Sequence, residues 1–195
     1  MTKQNWKLPH DNNPRRKVAY INARLFDPES GYDKKGELLT IGDKIAEFGP
    51  NIFKDGTPDG CEIIDCKGNV LCPGLLDIQV HLREPGQEHK EDISSGSKSA
   101  AAGGVTTIVC MPNTKPPIDS APMVEFVNNR ARERAYVNVR TYGAITVGQK
   151  GESITEMGFM KEAGAVGFTD DGLPVMNSLV MRRAMEYCST LDVPI

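Results

Sequence analysis

From Cys72 to the last residue the chain alternates short apolar runs with helix-forming runs, and this rhythm limits the fold more than any other feature. Residues 76–82 read as an apolar strand, and residues 90–102, rich in alanine, read as a helix that Gly103-Gly104 ends. Residues 105–111 are β-branched and apolar, as a buried parallel strand requires. Ser120 is positioned to cap a second helix, with Pro122 in its first turn, running to about residue 135. A third strand follows over residues 137–145, and Ser153-Ile-Thr-Glu156 reads as a capping box for a third helix that Gly164 closes. Residues 165–169 form a fourth strand, residues 178–190 a fourth helix, and Val193-Pro-Ile195 opens a fifth strand. Each strand–helix unit takes roughly 30 residues, the size of a βαβ step. The pattern predicts an α/β chain that is the N-terminal half of a (β/α)8 barrel, a fold of about 250 residues when whole. A doubly wound sheet competes, but no Gly-x-Gly-x-x-Gly turn follows the first strand.

Before Cys72 the rhythm differs. Residues 18–21 and 23–26 read as strand, Asp27-Pro-Glu-Ser-Gly31 as a turn, and residues 36–49 as a hairpin about Gly42-Asp43. Residues 61–65 supply another strand. The expected organisation is a polar arm over residues 1–16, a small β-rich flanking domain over 17–71, and the barrel units over 72–195.

Composition excludes several classes of function. With 39% hydrophobic and 25% charged residues the chain is neither disordered nor collagen-like. A net charge of -3 offers no electrostatic footprint for nucleic acid or an anionic membrane. No apolar run is long enough for a spanning helix, and Met1-Thr-Lys-Gln-Asn-Trp-Lys7 lacks the apolar core of a signal peptide. A cytoplasmic protein is expected. The five cysteines, an odd number without a secretion signal, fit reduced thiols.

Residues suited to chemistry fall just after the strands. Strand side chains alternate, so Gln79, His81 and Arg83 are expected on one face of the first barrel strand. Imidazole suits a transition metal, and a guanidinium fork suits a carboxylate. Singly, His81 reads as a core histidine and Arg83 as a surface cation. Together, on an apolar strand that ends in Pro85-Gly86, they favour a site. After the second strand Met111-Pro-Asn113-Thr114 offers an amide that can orient a polar substrate, or a simple turn. After the fourth, Thr169-Asp170-Asp171-Gly172 offers two carboxylates for a metal or for capping the next helix.

These segments, in this order, resemble the dihydroorotases of the amidohydrolase superfamily, particularly the larger class I type. The matching stretches are Asn22-Ala-Arg-Leu-Phe-Asp-Pro28, Pro73-Gly-Leu-Leu-Asp-Ile-Gln-Val-His-Leu-Arg-Glu-Pro-Gly86 and Ala100-Ala-Ala-Gly-Gly-Val-Thr-Thr107, followed by Met111-Pro-Asn-Thr114, Gly143-Ala-Ile-Thr146 and Phe168-Thr-Asp-Asp-Gly172. The resemblance implies a zinc-dependent cyclic amidohydrolase that interconverts N-carbamoyl-L-aspartate and dihydroorotate in pyrimidine synthesis. It implies metal ligation by His81 and Asp171, and a grip on the substrate carboxylate by Arg83 and Asn113. The related hydantoinases and dihydropyrimidinases usually carry a carboxylated lysine on the fourth strand. Residues 165–169 contain none, which favours dihydroorotase.

Two departures stand out. Gln79 holds the place of the family's first metal histidine, and an amide oxygen is a poor exchange for imidazole at zinc. The family's later histidine ligands and its aspartate base belong to barrel strands beyond Ile195, so this chain is expected to be inactive alone. His10 and His89 match no ligand position. A complementing C-terminal half is one expected partner. The alternative is a non-catalytic subunit of dihydroorotase type that partners aspartate carbamoyltransferase.

Overall fold

A computed structural model describes residues 16–195, which divide into two compact units at the Pro73–Gly74 junction. The arm expected over residues 1–16 lies outside the described residues except for Arg16, whose guanidinium pairs with Glu62 at 2.8 Å.

The first unit is one mixed sheet. Strands β1 (Lys17–Asp27), β2 (Tyr32–Ile41) and β3 (Lys44–Gly49) form an antiparallel meander, with Ile41 opposite Lys44 across the Gly42-Asp43 turn. Gly42 has a φ of 61°, the left-handed geometry that a two-residue hairpin demands. Strands β4 (Glu62–Asp65) and β5 (Val70–Leu71) both run parallel to β1. β5 was not expected as a strand. It exists because β1 shifts register between Tyr20 and Ala23, and the 66–69 turn follows that irregularity. Cys66 N–H donates to Ile21 O (2.8 Å) and Gly68 N–H to Asn22 O (2.7 Å). Val18, Ala19, Ala23, Leu25 and Leu39 are the buried hydrophobic residues of this unit.

The second unit carries four strand–helix pairs: β6 (Leu75–Val80) and α1 (Ile93–Ala102), β7 (Val105–Cys110) and α2 (Ala121–Arg134), β8 (Asn138–Gly143) and α3 (Met157–Glu162), and β9 (Ala165–Phe168) and α4 (Ser178–Leu191). All strand pairings are parallel, in the order β6-β7-β8-β9. Consecutive helices pack against one another, α1 on α2, α2 on α3 and α3 on α4. A strand order that never reverses, under one continuous row of helices, is the (β/α)8 plan and not the doubly wound one. The core lies between sheet and helices, around Ile108, Val124, Val127, Met160, Phe168 and Ala184.

Local details correct the sequence expectations in four places. Helix α1 begins at Ile93, not residue 90, because Asp92 caps it: the Asp92 carboxylate accepts from Ser95 N–H (2.7 Å), and Asp92 N–H donates to Ser95 Oγ (3.4 Å). The Ser95 N–H bond, the largest cause, holds the Asp92 carboxyl below its ordinary range. Ser120 occupies the cap position of α2, but its side chain makes no capping bond there. The capping box expected at Ser153–Glu156 does not form, because those residues are spent on pairing. Ile154 bridges Thr146 antiparallel, and Thr155 Oγ1 donates to Ala144 O at 2.8 Å. Val193-Pro-Ile195 is not a strand, although Phe168 N–H donates to Pro194 O at 3.0 Å. Among the described residues no helix is long and apolar enough to cross a membrane.

Candidate functional site

Parallel strands deliver their carboxyl ends to the same end of a sheet, and the loops that follow them carry the polar side chains. His81 follows β6, Asn113 follows β7, Ala144–Thr146 follow β8, and Asp170 and Asp171 follow β9. Residues from three of these four loops meet through one amide. Asn113 Nδ2 donates to Asp171 Oδ2 at 2.8 Å, and Asn113 Oδ1 lies 3.1 Å from His81 Nδ1. A carboxylate only accepts, so the NH2 end of Asn113 must face Asp171 and its oxygen must face the imidazole. In the neutral imidazole this places the proton on His81 Nδ1 and leaves Nε2 bare. That atom lies 3.7 Å from Asp171 Oδ2, beyond hydrogen-bonding reach.

Gln79 completes the cluster from within β6. Its Nε2 donates to Asp171 Oδ1 at 3.3 Å, so both oxygens of Asp171 receive an amide N–H. Thr169 Oγ1 accepts from Asp171 N–H at 3.2 Å and steadies the turn. The Asp171 side chain is 14% exposed and that of His81 34%, so the cluster sits at an opening rather than in the core.

Arg83 is expected on the face of Gln79 and His81, but β6 ends at Val80 and Arg83 has a φ of 57°, which breaks the two-residue alternation. Its side chain makes no hydrogen bond or ion pair with any described residue. Its charge does reach the Cys110 thiol at the end of β7. Burial pushes that thiol up to about 11, with the Leu82 backbone bond and Arg83 opposing. The structure thus joins Gln79, His81, Asn113 and Asp171 by contact, and gives the Arg83 guanidinium no hydrogen-bond or ion-pair partner among the described residues.

The neighbouring carboxylates have separate partners. Asp170 is 4% exposed and accepts from Ile145 N–H (2.8 Å), Thr146 N–H (3.1 Å) and the Thr146 hydroxyl. It ties the loop after β8 to the end of β9. Neither Asp170 nor Asp171 caps α4, since Asn177 does, accepting from Leu179 N–H at 3.0 Å.

One site-building residue escaped the sequence reading. Glu84, one residue past Arg83, is 2% exposed, and its oxygens accept from Arg130 Nε (2.9 Å) and Ile93 N–H (3.0 Å). It fastens the turn that presents Arg83 to the start of α1 and to α2. The only sequence signal was an acidic residue between Arg83 and Pro85, which reads as solvent-facing when its partner lies 46 residues away.

A family model described as dihydro-orotase-like matches residues 68–195. The chain is 55% identical over 197 residues to a dihydroorotase of Ehrlichia chaffeensis, an alignment that covers 100% of this chain and 44% of that protein. It is 60% identical over 179 residues to a dihydroorotase of Wolbachia from Drosophila simulans, covering 92% of this chain and 40% of the relative. It therefore spans less than half the length of these curated relatives. Among solved structures it resembles the L-hydantoinase (dihydropyrimidinase) of Arthrobacter aurescens, with a TM-score of 0.76 at 24% identity over 90% of this chain and 39% of that one. That likeness is one of fold. The family match takes in all four parallel strands and every residue of the cluster, and the chain belongs to the dihydro-orotase-like family.

Proposed function

We propose that this chain is the carboxylate-binding N-terminal portion of a cytoplasmic dihydroorotase, an enzyme that interconverts N-carbamoyl-L-aspartate and dihydroorotate. The observation that carries the reading is the Arg83 side chain, without a hydrogen bond or ion pair to any described residue, on a left-handed turn two residues after His81, which belongs to a cluster that joins three strand ends. An arginine fork meets a carboxylate with two parallel hydrogen bonds, which fixes orientation as well as affinity. Asn113 has two amide hydrogens and commits one to Asp171, so the second is available to the same carboxylate. The absence of lysine from Ala165–Phe168 favours this reading over a hydantoinase.

Zinc is the metal that the resemblance implies, and it would polarise the amide carbonyl and activate a water. The donor set described here does not fit it. A catalytic zinc keeps three protein ligands, whereas this cluster brings together one imidazole and one carboxylate, His81 and Asp171, and no group of three His, Cys, Asp or Glu side chains suited to a metal occurs among the described residues. Position 79 turns an N–H toward the would-be site. What these residues do is bind and orient: Arg83 and Asn113 take the substrate carboxylate, and Glu84 holds the Arg83 turn.

Titration of N-carbamoyl-L-aspartate into the 195-residue chain by calorimetry tests this reading. Saturable binding is expected, weakened at least about tenfold in Arg83→Met, the loss of one charge-assisted pair. No binding by the native chain, or full binding by Arg83→Met, would refute it.

A further inference from the structure

We propose that Gln79 locks this site in a metal-free form, its side-chain amide standing as a hydrogen-bond donor to Asp171 where a metal ligand would have to present a lone pair. A ligand at this position must aim an acceptor atom at the cation. Gln79 aims Nε2, which donates to Asp171 Oδ1 at 3.3 Å. The other oxygen of Asp171 is taken by Asn113 Nδ2 at 2.8 Å. Two N–H dipoles thus face a carboxylate that a cation would otherwise face. A cation seated on Asp171 has to displace at least one of them, and among the described residues of the cluster it meets one ready neutral donor, His81 Nε2 of the uncharged imidazole.

His81 keeps the orientation that a metal-binding imidazole has. Its Nδ1–H is held by an amide oxygen at 3.1 Å, and its Nε2 points into the cluster 3.7 Å from Asp171 Oδ2. The supporting shell for a metal is therefore present, and one side chain turns the site into a closed network of amide and carboxylate. The network makes the four side chains one unit: Gln79 and Asn113 hold Asp171, and Asn113 holds His81. Its task is to keep Asn113 fixed with one N–H free, without help from an ion. This lock does not depend on whether the neighbouring Arg83 takes carbamoyl-aspartate.

The test uses the 195-residue chain and zinc chloride, read by competition with a chromophoric chelator, together with NMR of the side-chain amides. The native chain is expected to retain no zinc through gel filtration. Gln79→His is expected to bind zinc at least about 10-fold more tightly, since loss of even a supporting residue shifts metal affinity about 10–100-fold. Gln79→Glu, which sets two carboxylates face to face, is expected to gain thermal stability when zinc is added, whereas the native chain does not. In the native chain the Gln79 and Asn113 NH2 signals are expected to ignore zinc and to shift together in Asp171→Asn. This last readout decides the matter even where a position-79 variant fails to fold. Zinc affinity in the native chain within tenfold of Gln79→His, and abolished by His81→Ala, would overturn the proposal. So would a Gln79 NH2 signal that moves on adding zinc or is indifferent to Asp171→Asn. The calorimetric titration of carbamoyl-aspartate is read separately, so failure of substrate binding leaves these outcomes intact.

Discussion

Asp170 and Asp171 are adjacent in the chain, yet their carboxylates belong to different structures: Asp170 is buried on the backbone of Ile145 and Thr146, and Asp171 is held by the side chains of Gln79 and Asn113. The two should therefore respond differently to the same change. Asp170→Ala strips three donors of a buried acceptor, and bonds to a charged group contribute about 1.5–3 kcal/mol each. A loss of about 3 kcal/mol or more in urea unfolding is expected. Asp171→Asn keeps the volume and one acceptor at a partly exposed place, and should cost about 1 kcal/mol or less. Equal losses in the two variants would contradict this division.

What the sequence made legible follows the range of the interactions involved. The parallel strands could be read because Val105-Thr-Thr-Ile-Val and Ala165-Val-Gly-Phe are short apolar runs bounded by glycine and polar turns. That residues after β6, β7 and β9 share one end of the sheet could be read from strands that run in one direction, whereas Asp171 was distinguished from Asp170 only by the resemblance. The failures were local motifs overridden by tertiary pairing. Ser153-Ile-Thr-Glu156 has the letters of a capping box, but the loop after β8 uses it for a bridge to Thr146. The box that does form, Asp92 with Ser95, lacks the acidic or amide third residue that the usual pattern requires. Nor could the alternation rule place Arg83, because the left-handed turn begins there. The buried state of Glu84 was illegible, since it depends on Arg130 in a different helix.

Glu84 is the residue whose removal should be felt furthest. Its carboxylate is 2% exposed and holds one cation and one backbone N–H. The Glu84 end of this pair is buried and the Arg130 end half-buried, so removing one partner costs less than the roughly 3–5 kcal/mol of a fully buried pair, on the order of 2–3 kcal/mol. Glu84→Gln should destabilise the chain on that scale, because one amide oxygen cannot serve both donors and its NH2 faces a guanidinium. Arg130→Met should cost a comparable amount, and the double change Glu84→Met with Arg130→Met less than the sum of the two singles. A thermal-melt double-mutant cycle measures the coupling, and additive losses would disprove the pairing.

Cys110 sets a pH dependence. Its thiol is buried at the end of β7, and burial raises its pKa from 9.0 to about 11. The folded state therefore holds this proton more tightly than the unfolded state. The associated stability is complete below about 9 and is lost as pH rises from there through about 11. At 1.36 kcal/mol per unit the full loss is about 3 kcal/mol. Cys110→Ala should show a smaller fall across this window, measured by urea unfolding at several pH values. In the native chain iodoacetamide at pH 8 should modify the exposed Cys72 and leave Cys110 unreacted until the chain unfolds.

Gly86 tests whether the loops after β6 and β7 act together. Its φ is 93°, and a Cβ built there would lie 1.9 Å from the carbonyl oxygen of Lys115. That contact is backbone, so no side-chain rotation relieves it. Beside it Lys115 N–H donates to Pro85 O at 3.0 Å, which pins the loop of Arg83 to the loop of Asn113. Gly86→Ala must therefore separate the two loops or abandon the positive φ, and a loss of about 2–4 kcal/mol is expected. The separation should also reach the site. Amide hydrogen exchange at Lys115 should accelerate, and binding of carbamoyl-aspartate should weaken even at temperatures where the variant is fully folded. A folded Gly86→Ala chain with native exchange at Lys115 would mean that the two loops hold their places independently, and that the proposed grip on a carboxylate does not depend on their contact.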